Sequence, residues 1–138
     1  MVFRYKSHRK KIFGKYEAFN FSGSIKDRIA LHIIKKSYQQ NLLQEGDIIV
    51  EATSGNTGIA FSALGRALGH QVKIFMPDWL SKERYDTIEL YGAEVVKISK
   101  EQCGFLRSIS EAENFVKSHK NSAVKAFCPE QFSNPFNA

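Results

Sequence analysis

Thr53-Ser54-Gly55-Asn56-Thr57-Gly58 follows the apolar run Ile48-Ile49-Val50 and precedes the run Ile59-Ala60-Phe61-Ser62-Ala63-Leu64. That order reads as strand, tight polar loop, helix start. Such a loop aims hydroxyls, an amide and backbone N–H groups at one point, with the positive end of a helix dipole behind them. It is a seat for a carboxylate or a phosphate. The plainer reading is an ordinary turn and N-cap, since Ser, Thr, Asn and Gly are common in both. The spacing matches neither the dinucleotide fingerprint nor the P-loop.

The same alternation extends to both sides of the loop. Downstream, a helix is expected over about Thr57–Leu68, ended by Gly69. Val72–Met76 is the next strand, stopped by Pro77. Ser81 introduces a helix over about Lys82–Tyr91, with Gly92 as its stop. Glu94–Ile98 is a third strand. Phe105, Leu106, Ile109, Ala112, Phe115 and Val116 mark a further helix, and Ala123–Cys128 a fourth strand. Upstream, Ile12–Phe19 reads as a strand and Asn20-Phe21-Ser22-Gly23 as a turn. Ser24 reads as an N-cap, with Asp27 completing a short capping box. Ile25, Ile29, Ala30, Ile33, Ile34 and Tyr38 recur at helical spacing, which predicts a helix over about Ser24–Gln40. The strands are nearly continuous apolar runs, as strands covered on both faces are. The fold class is therefore α/β, a parallel sheet with flanking helices and right-handed crossovers. Ligands in such sheets sit beyond the carboxyl ends of the strands. The Thr53–Gly58 loop lies at such an end, and so does Gln131 after the last strand.

Composition narrows the function. The chain has 138 residues, 43% of them hydrophobic and 25% charged, which suits one globular domain. No apolar run approaches the roughly 20 residues that cross a bilayer. The net charge of +6 comes from Arg4, Lys6, Arg9, Lys10, Lys11 and Lys15, while the remaining Lys and Arg equal the 14 Asp and Glu. The excess is a basic leader over residues 1–11 and its immediate continuation, not a basic face, which argues against nucleic acid as a partner. Cys103 and Cys128 form no C-x-x-C pair, so a reducing cytoplasm is the default. His8, His32, His70 and His119 lack ligand spacing, and no metal is expected.

Lys26 lies in Gly23-Ser24-Ile25-Lys26-Asp27-Arg28, in the first turn of a helix. A cation there opposes the helix dipole, which favours the neutral amine, and burial would favour it further. A neutral lysine amine is the nucleophile that condenses with aldehydes. The plainer reading is a solvated lysine beside Asp27 and Arg28.

Taken together, three motifs are more specific than any one. They are Gly23-Ser24-Ile25-Lys26-Asp27-Arg28, Glu51-Ala52-Thr53-Ser54-Gly55-Asn56-Thr57-Gly58 and Gln131-Phe132-Ser133-Asn134-Pro135. In this order they resemble the cysteine synthase and cystathionine β-synthase family, pyridoxal-phosphate enzymes of the tryptophan-synthase-β-like fold. Phe75-Met76-Pro77, Ser81-x-Glu83-Arg84 and Tyr91–Val96 also look like the family's intervening segments. The resemblance runs from about Ile12 to the last residue, and residues 1–11 carry none of it.

The resemblance implies a role for each matching position. Lys26 matches the catalytic lysine that holds pyridoxal 5′-phosphate and moves protons at the substrate α-carbon. Asn56 matches the asparagine that hydrogen-bonds the cofactor's 3′ oxygen. Thr53, Ser54, Asn56 and Thr57 match the loop that grips the substrate α-carboxylate, and Gln131 matches a further carboxylate contact. The implied reaction is β-replacement on O-acetylserine or a related activated serine to give cysteine. Family members are about twice as long, so residues 12–138 are expected to be the N-terminal part, essentially the smaller domain. The family's Gly-rich phosphate loop is expected beyond residue 138. Alternatives remain: a threonine synthase or a serine/threonine dehydratase, or a non-catalytic remnant binding a carboxylate or a partner's C-terminal peptide in the loop. Thr57 stands where dehydratases typically carry histidine. The family is typically homodimeric and acts on small amino-acid substrates.

Overall fold

The structure is a computed structural model that describes residues 2–7 and 10–137. Its centre is a four-stranded parallel sheet. The chain runs through strands β1 (Val2–Ser7) and β2 (Lys10–Lys15), helix α1 (Lys26–Gln39), strand β3 (Ile48–Ala52), helix α2 (Asn56–Ala67) and strand β4 (Gln71–Pro77). Helix α3 (Lys82–Leu90), strand β5 (Glu94–Ile98), helix α4 (Gly104–Ser118) and strand β6 (Ala126–Phe127) follow. The strand order is β5-β4-β3-β6, with Ile48 opposite Gln71 on one side and Ala126 on the other. This is the parallel α/β sheet expected from the alternation of runs.

The side chains of each strand alternate between two cores. Ile49, Val72, Ile74 and Met76 face α1, α2 and α3, where Ala30, Ile33, Ile34, Ala60, Phe61, Tyr85 and Ile88 cover them. Val50, Ala52, Phe75 and Ile98 face α4, where Ala112 covers them with Ile109, Phe115 and Val116. Each large aliphatic or aromatic side chain buried this way contributes roughly 1.5–3 kcal/mol. Both faces are covered, which is why the strands read as unbroken apolar runs.

His70, fully buried at the start of β4, closes the far end of the first core. Its Nδ1 lies 2.7 Å from the Asp47 carbonyl oxygen, which can only accept, so Nδ1 carries the proton. Nε2 is then left to accept from the Tyr38 hydroxyl on α1.

Three boundaries differ from expectation. The strand expected over Ile12–Phe19 ends at Lys15 and is followed by a single 3₁₀ turn over Glu17–Phe19. Glu17 is drawn out of the strand by Arg28 at 2.6 Å and Lys15 at 3.5 Å, and it also accepts from the Asn20 amide at 2.5 Å. Helix α1 begins at Lys26 rather than Ser24. Ser24 still caps locally, accepting the Lys26 N–H at 3.2 Å, but Asp27 turns back to accept from Ser22 instead of completing the box with Ser24. The last strand is two residues long rather than six: residues 121–124 turn instead of pairing, and past the strand Pro129 has no N–H to extend the ladder. The leader's backbone forms the antiparallel hairpin of β1 and β2, while its basic side chains from Arg4 to Lys11 lie outside the described residues.

Candidate active site

Beyond the carboxyl end of β3, the backbone turns sharply into α2. The Thr53 N–H still donates to the Phe75 carbonyl oxygen at 3.1 Å, so the loop starts from a fixed ladder position. Thr53 is buried, and its hydroxyl accepts the Gly55 N–H at 3.3 Å. Helix α2 begins at Asn56, and its first free N–H groups point into the loop. Gly58 permits this close turn. A Cβ on it would lie 2.5 Å from the Thr53 methyl carbon, 3.3 Å from Ile74 Cγ2 and 3.4 Å from Ile88 Cδ1.

A cavity of about 300 Å³ opens above this loop, lined by Lys26, Thr53, Ser54, Gly55, Asn56, Thr57, Arg84, Gln131 and Phe132. Every residue singled out from the sequence, namely Lys26, Thr53, Ser54, Asn56, Thr57 and Gln131, therefore borders one space. They come from α1, from the loop between β3 and α2, and from the loop after β6. Thr57 and Gln131 are buried and joined: the Thr57 hydroxyl donates to Gln131 Oε1 at 2.6 Å. Ser54 and Asn56 are exposed towards the opening, and Lys26 is half-buried. Among the described residues no ion pair holds the Lys26 amine.

Two residues at the site went unassigned in the sequence. Arg84, on α3, donates to the Ser54 carbonyl oxygen at 2.5 Å and lies beneath Gly55, whose missing Cβ would sit 3.4 Å from its guanidinium. It belongs to the Ser81-x-Glu83-Arg84 segment that carried a family likeness, but nothing in that pattern assigned it a role. Glu51, inside β3, is 3% exposed, and its carboxyl oxygens accept N–H groups from Ala52 at 2.9 Å and Gln131 at 3.4 Å. Burial pushes Glu51 up to about 8, the two N–H groups pull it back, and the nearby Glu130 charge adds to the rise. The signal was available: a carboxylate interrupting an apolar buried strand is costly unless partnered.

This arrangement can hold a carboxylate on neutral donors while presenting a primary amine to an aldehyde. Burial raises the Cys128 thiol to about 12, which removes it as a nucleophile at neutral pH.

Comparison with known proteins places the chain. The family model described as "pyridoxal-phosphate dependent enzyme" matches residues 3–138. A probable cysteine synthase of Bacillus subtilis is 39% identical over 127 residues, which are 92% of this chain and 39% of that protein. The crystal structure of a hydrogen sulfide-producing enzyme from Fusobacterium nucleatum superposes with a TM-score of 0.84 at 48% identity, over 99% of this chain and 40% of that one. The O-acetyl serine sulfhydrylase isoform 3 of Entamoeba histolytica gives a TM-score of 0.80 at 38% identity, over 92% of this chain and 37% of that one. The chain thus spans about two fifths of the length of these relatives. Its parallel sheet with flanking helices is the α/β architecture of tryptophan-synthase-β-like enzymes, and the cofactor of its relatives is pyridoxal 5′-phosphate. The chain belongs to the pyridoxal-phosphate-dependent enzyme family that includes these cysteine synthases.

Proposed function

We propose that the chain is the N-terminal portion of a cysteine-synthase-like enzyme that replaces the β-substituent of O-acetylserine, or a related activated serine, to give cysteine. The observation that carries this reading is the shared cavity of Lys26, the Thr53–Thr57 loop and Gln131. The residues present fit the reactive half of the cofactor: an amine that no ion pair holds among the described residues stands across from uncharged donors. When bound, pyridoxal phosphate supplies an aldehyde and an electron-withdrawing ring.

In this reading Lys26 holds the cofactor and moves the proton at the substrate α-carbon. Asn56 donates to the cofactor's 3′ oxygen. Thr53, Ser54, Asn56 and Thr57 orient the amino acid by its α-carboxylate. Gln131, already held by Thr57, adds a donor from the opposite loop. Neutral donors suit this task because they bind the carboxylate without leaving a buried charge when the site empties. Cytoplasmic location fits the two unpaired thiols, and a homodimer fits the family.

The test is addition of pyridoxal phosphate to this chain and to Lys26→Ala. A lysine-dependent absorption band of the bound cofactor is expected, and its equal presence in Lys26→Ala would refute the assignment. Turnover of O-acetylserine with sulfide, against serine, threonine and O-phosphohomoserine, separates cysteine synthase from dehydratase and threonine synthase. A second reading, a carboxylate- or peptide-binding module without catalysis, rests on the loop alone, whose Ser54 and Asn56 are exposed at the cavity opening. Calorimetric heat with a C-terminal peptide, in the absence of any cofactor band, would select it.

A further inference from the structure

We infer that Glu51 is a positioning residue whose carboxyl group fixes the main chain of Gln131 and, through it, seats the Gln131 side chain against Thr57. This rests on reading the loop as a carboxylate grip. The physical need begins in the sheet. Strand β6 pairs with β3 only at Ile48 and Ile49 and then diverges at Pro129. The N–H groups of Ala52 and Gln131, which border that gap, have no backbone ladder to join. A buried N–H without a partner is costly. Glu51 supplies both acceptors, Oε1 to Ala52 at 2.9 Å and Oε2 to Gln131 at 3.4 Å. From Gln131 the chain of contacts continues to Thr57 Oγ1 at 2.6 Å. All three side chains are buried, at 3%, 7% and 4% exposure.

The connection spans three separate pieces of backbone: β3, the loop after β6 and the first turn of α2. Gln131 reaches the cavity from the far side of the Thr53–Gly58 loop, and nothing else in that loop ties its N–H to β3. An adjoining cavity of about 220 Å³, lined by Glu51, Cys128, Glu130 and Glu113 among others, lies on the α4 side. The titratable groups facing Glu51 are therefore Glu130 after β6, Glu113 on α4 and the Cys128 thiol, none of them a cation.

The experiment is an amide titration of the ¹⁵N-labelled chain from about pH 6 to about pH 10, a window set by ordinary carboxylate shifts on burial. The Ala52 and Gln131 resonances are expected to move together with a shared midpoint of about 8, and to stay still in Glu51→Gln. A Gln131 amide that ignores the titration, or one that titrates equally in Glu51→Gln, overturns the inference. A second readout uses L-serine as the carboxylate probe. Glu51→Ala is expected to weaken its binding about tenfold, the scale of one lost hydrogen bond, with Glu51→Gln recovering part through its single remaining acceptor. Wild-type affinity in a folded Glu51→Ala also overturns it. Absence of L-serine binding by the wild type would count against the carboxylate grip, and the amide titration then decides the role of Glu51 by itself.

Discussion

Replacing Gly58 by alanine puts a methyl carbon 2.5 Å from Thr53 Cγ2, at a place where both side chains are buried. Ordinary carbon–carbon contact lies at about 3.5–4.0 Å, so the overlap is about 1–1.5 Å. Overpacking of this kind costs about 1–3 kcal/mol. Alanine's better helix propensity returns about 1 kcal/mol, since Gly58 sits inside α2 with no positive φ to protect. With an overlap this deep on a β-branched side chain the upper end applies, so the clash outweighs the propensity by about 2 kcal/mol, or a fall of about 4–8 °C in Tm for a chain of this size. Urea and thermal denaturation of this chain measure it. The decisive comparison adds Thr53→Ser, which removes the offending methyl and keeps the hydroxyl that holds Gly55. Thr53→Ser is expected to cost about 1 kcal/mol in the wild-type background and less, or nothing, beside Gly58→Ala. Stability of Gly58→Ala at or above wild type, or strictly additive effects in the double variant, would refute the reasoning.

Glu51 carries a proton in the folded chain up to about pH 8, whereas its unfolded reference is 4.5. The folded state therefore holds more protons on Glu51 between these values, so the stability that Glu51 contributes is fully present below about 4.5 and is lost as pH rises to about 8. Denaturation across this window is expected to show that erosion in wild type and its removal in Glu51→Gln. Tyr38→Phe strips the hydroxyl from fully buried His70 Nε2, with an expected loss of about 1–2 kcal/mol on denaturation. Arg84→Ala is expected to change global stability by under about 1 kcal/mol because the side chain is exposed, yet to speed amide exchange at Gly55 and Asn56 as the Ser54 carbonyl loses its donor.

Much of this was legible in the primary structure because the strands and helices alternate with clear periods. Glu94–Ile98 falls where expected, and Ile48–Ala52 and Gln71–Pro77 differ only at their ends. The pieces that were missed depend on partners far away in sequence. Nothing within Ile12–Phe19 says that Glu17 will leave its strand for Arg28. The start of α1 shifted because Asp27 found Ser22 before Ser24. Residues 2–7 did carry a strand pattern, with Phe3 and Tyr5 alternating with Arg4 and Lys6, but the basic charge obscured it. At the site, the residue types identified the cavity wall, and the carboxyl of Glu51 within an apolar strand was a readable sign, while Arg84 acts through the Ser54 carbonyl of another segment and leaves no spacing to read.

The pairing of strands also sets an order of assembly. β3 pairs with β4 and β4 with β5, each with the next strand along the chain, so these contacts close short loops and form early. β6 must cross back over the sheet to reach β3, and Gln131 meets Thr57 across 74 residues of sequence. During synthesis the donor cluster at the head of α2 exists before its opposite wall. The pocket lacks its second wall until Gln131 has emerged, so a nascent chain stopped short of that residue holds an amino acid from one side only.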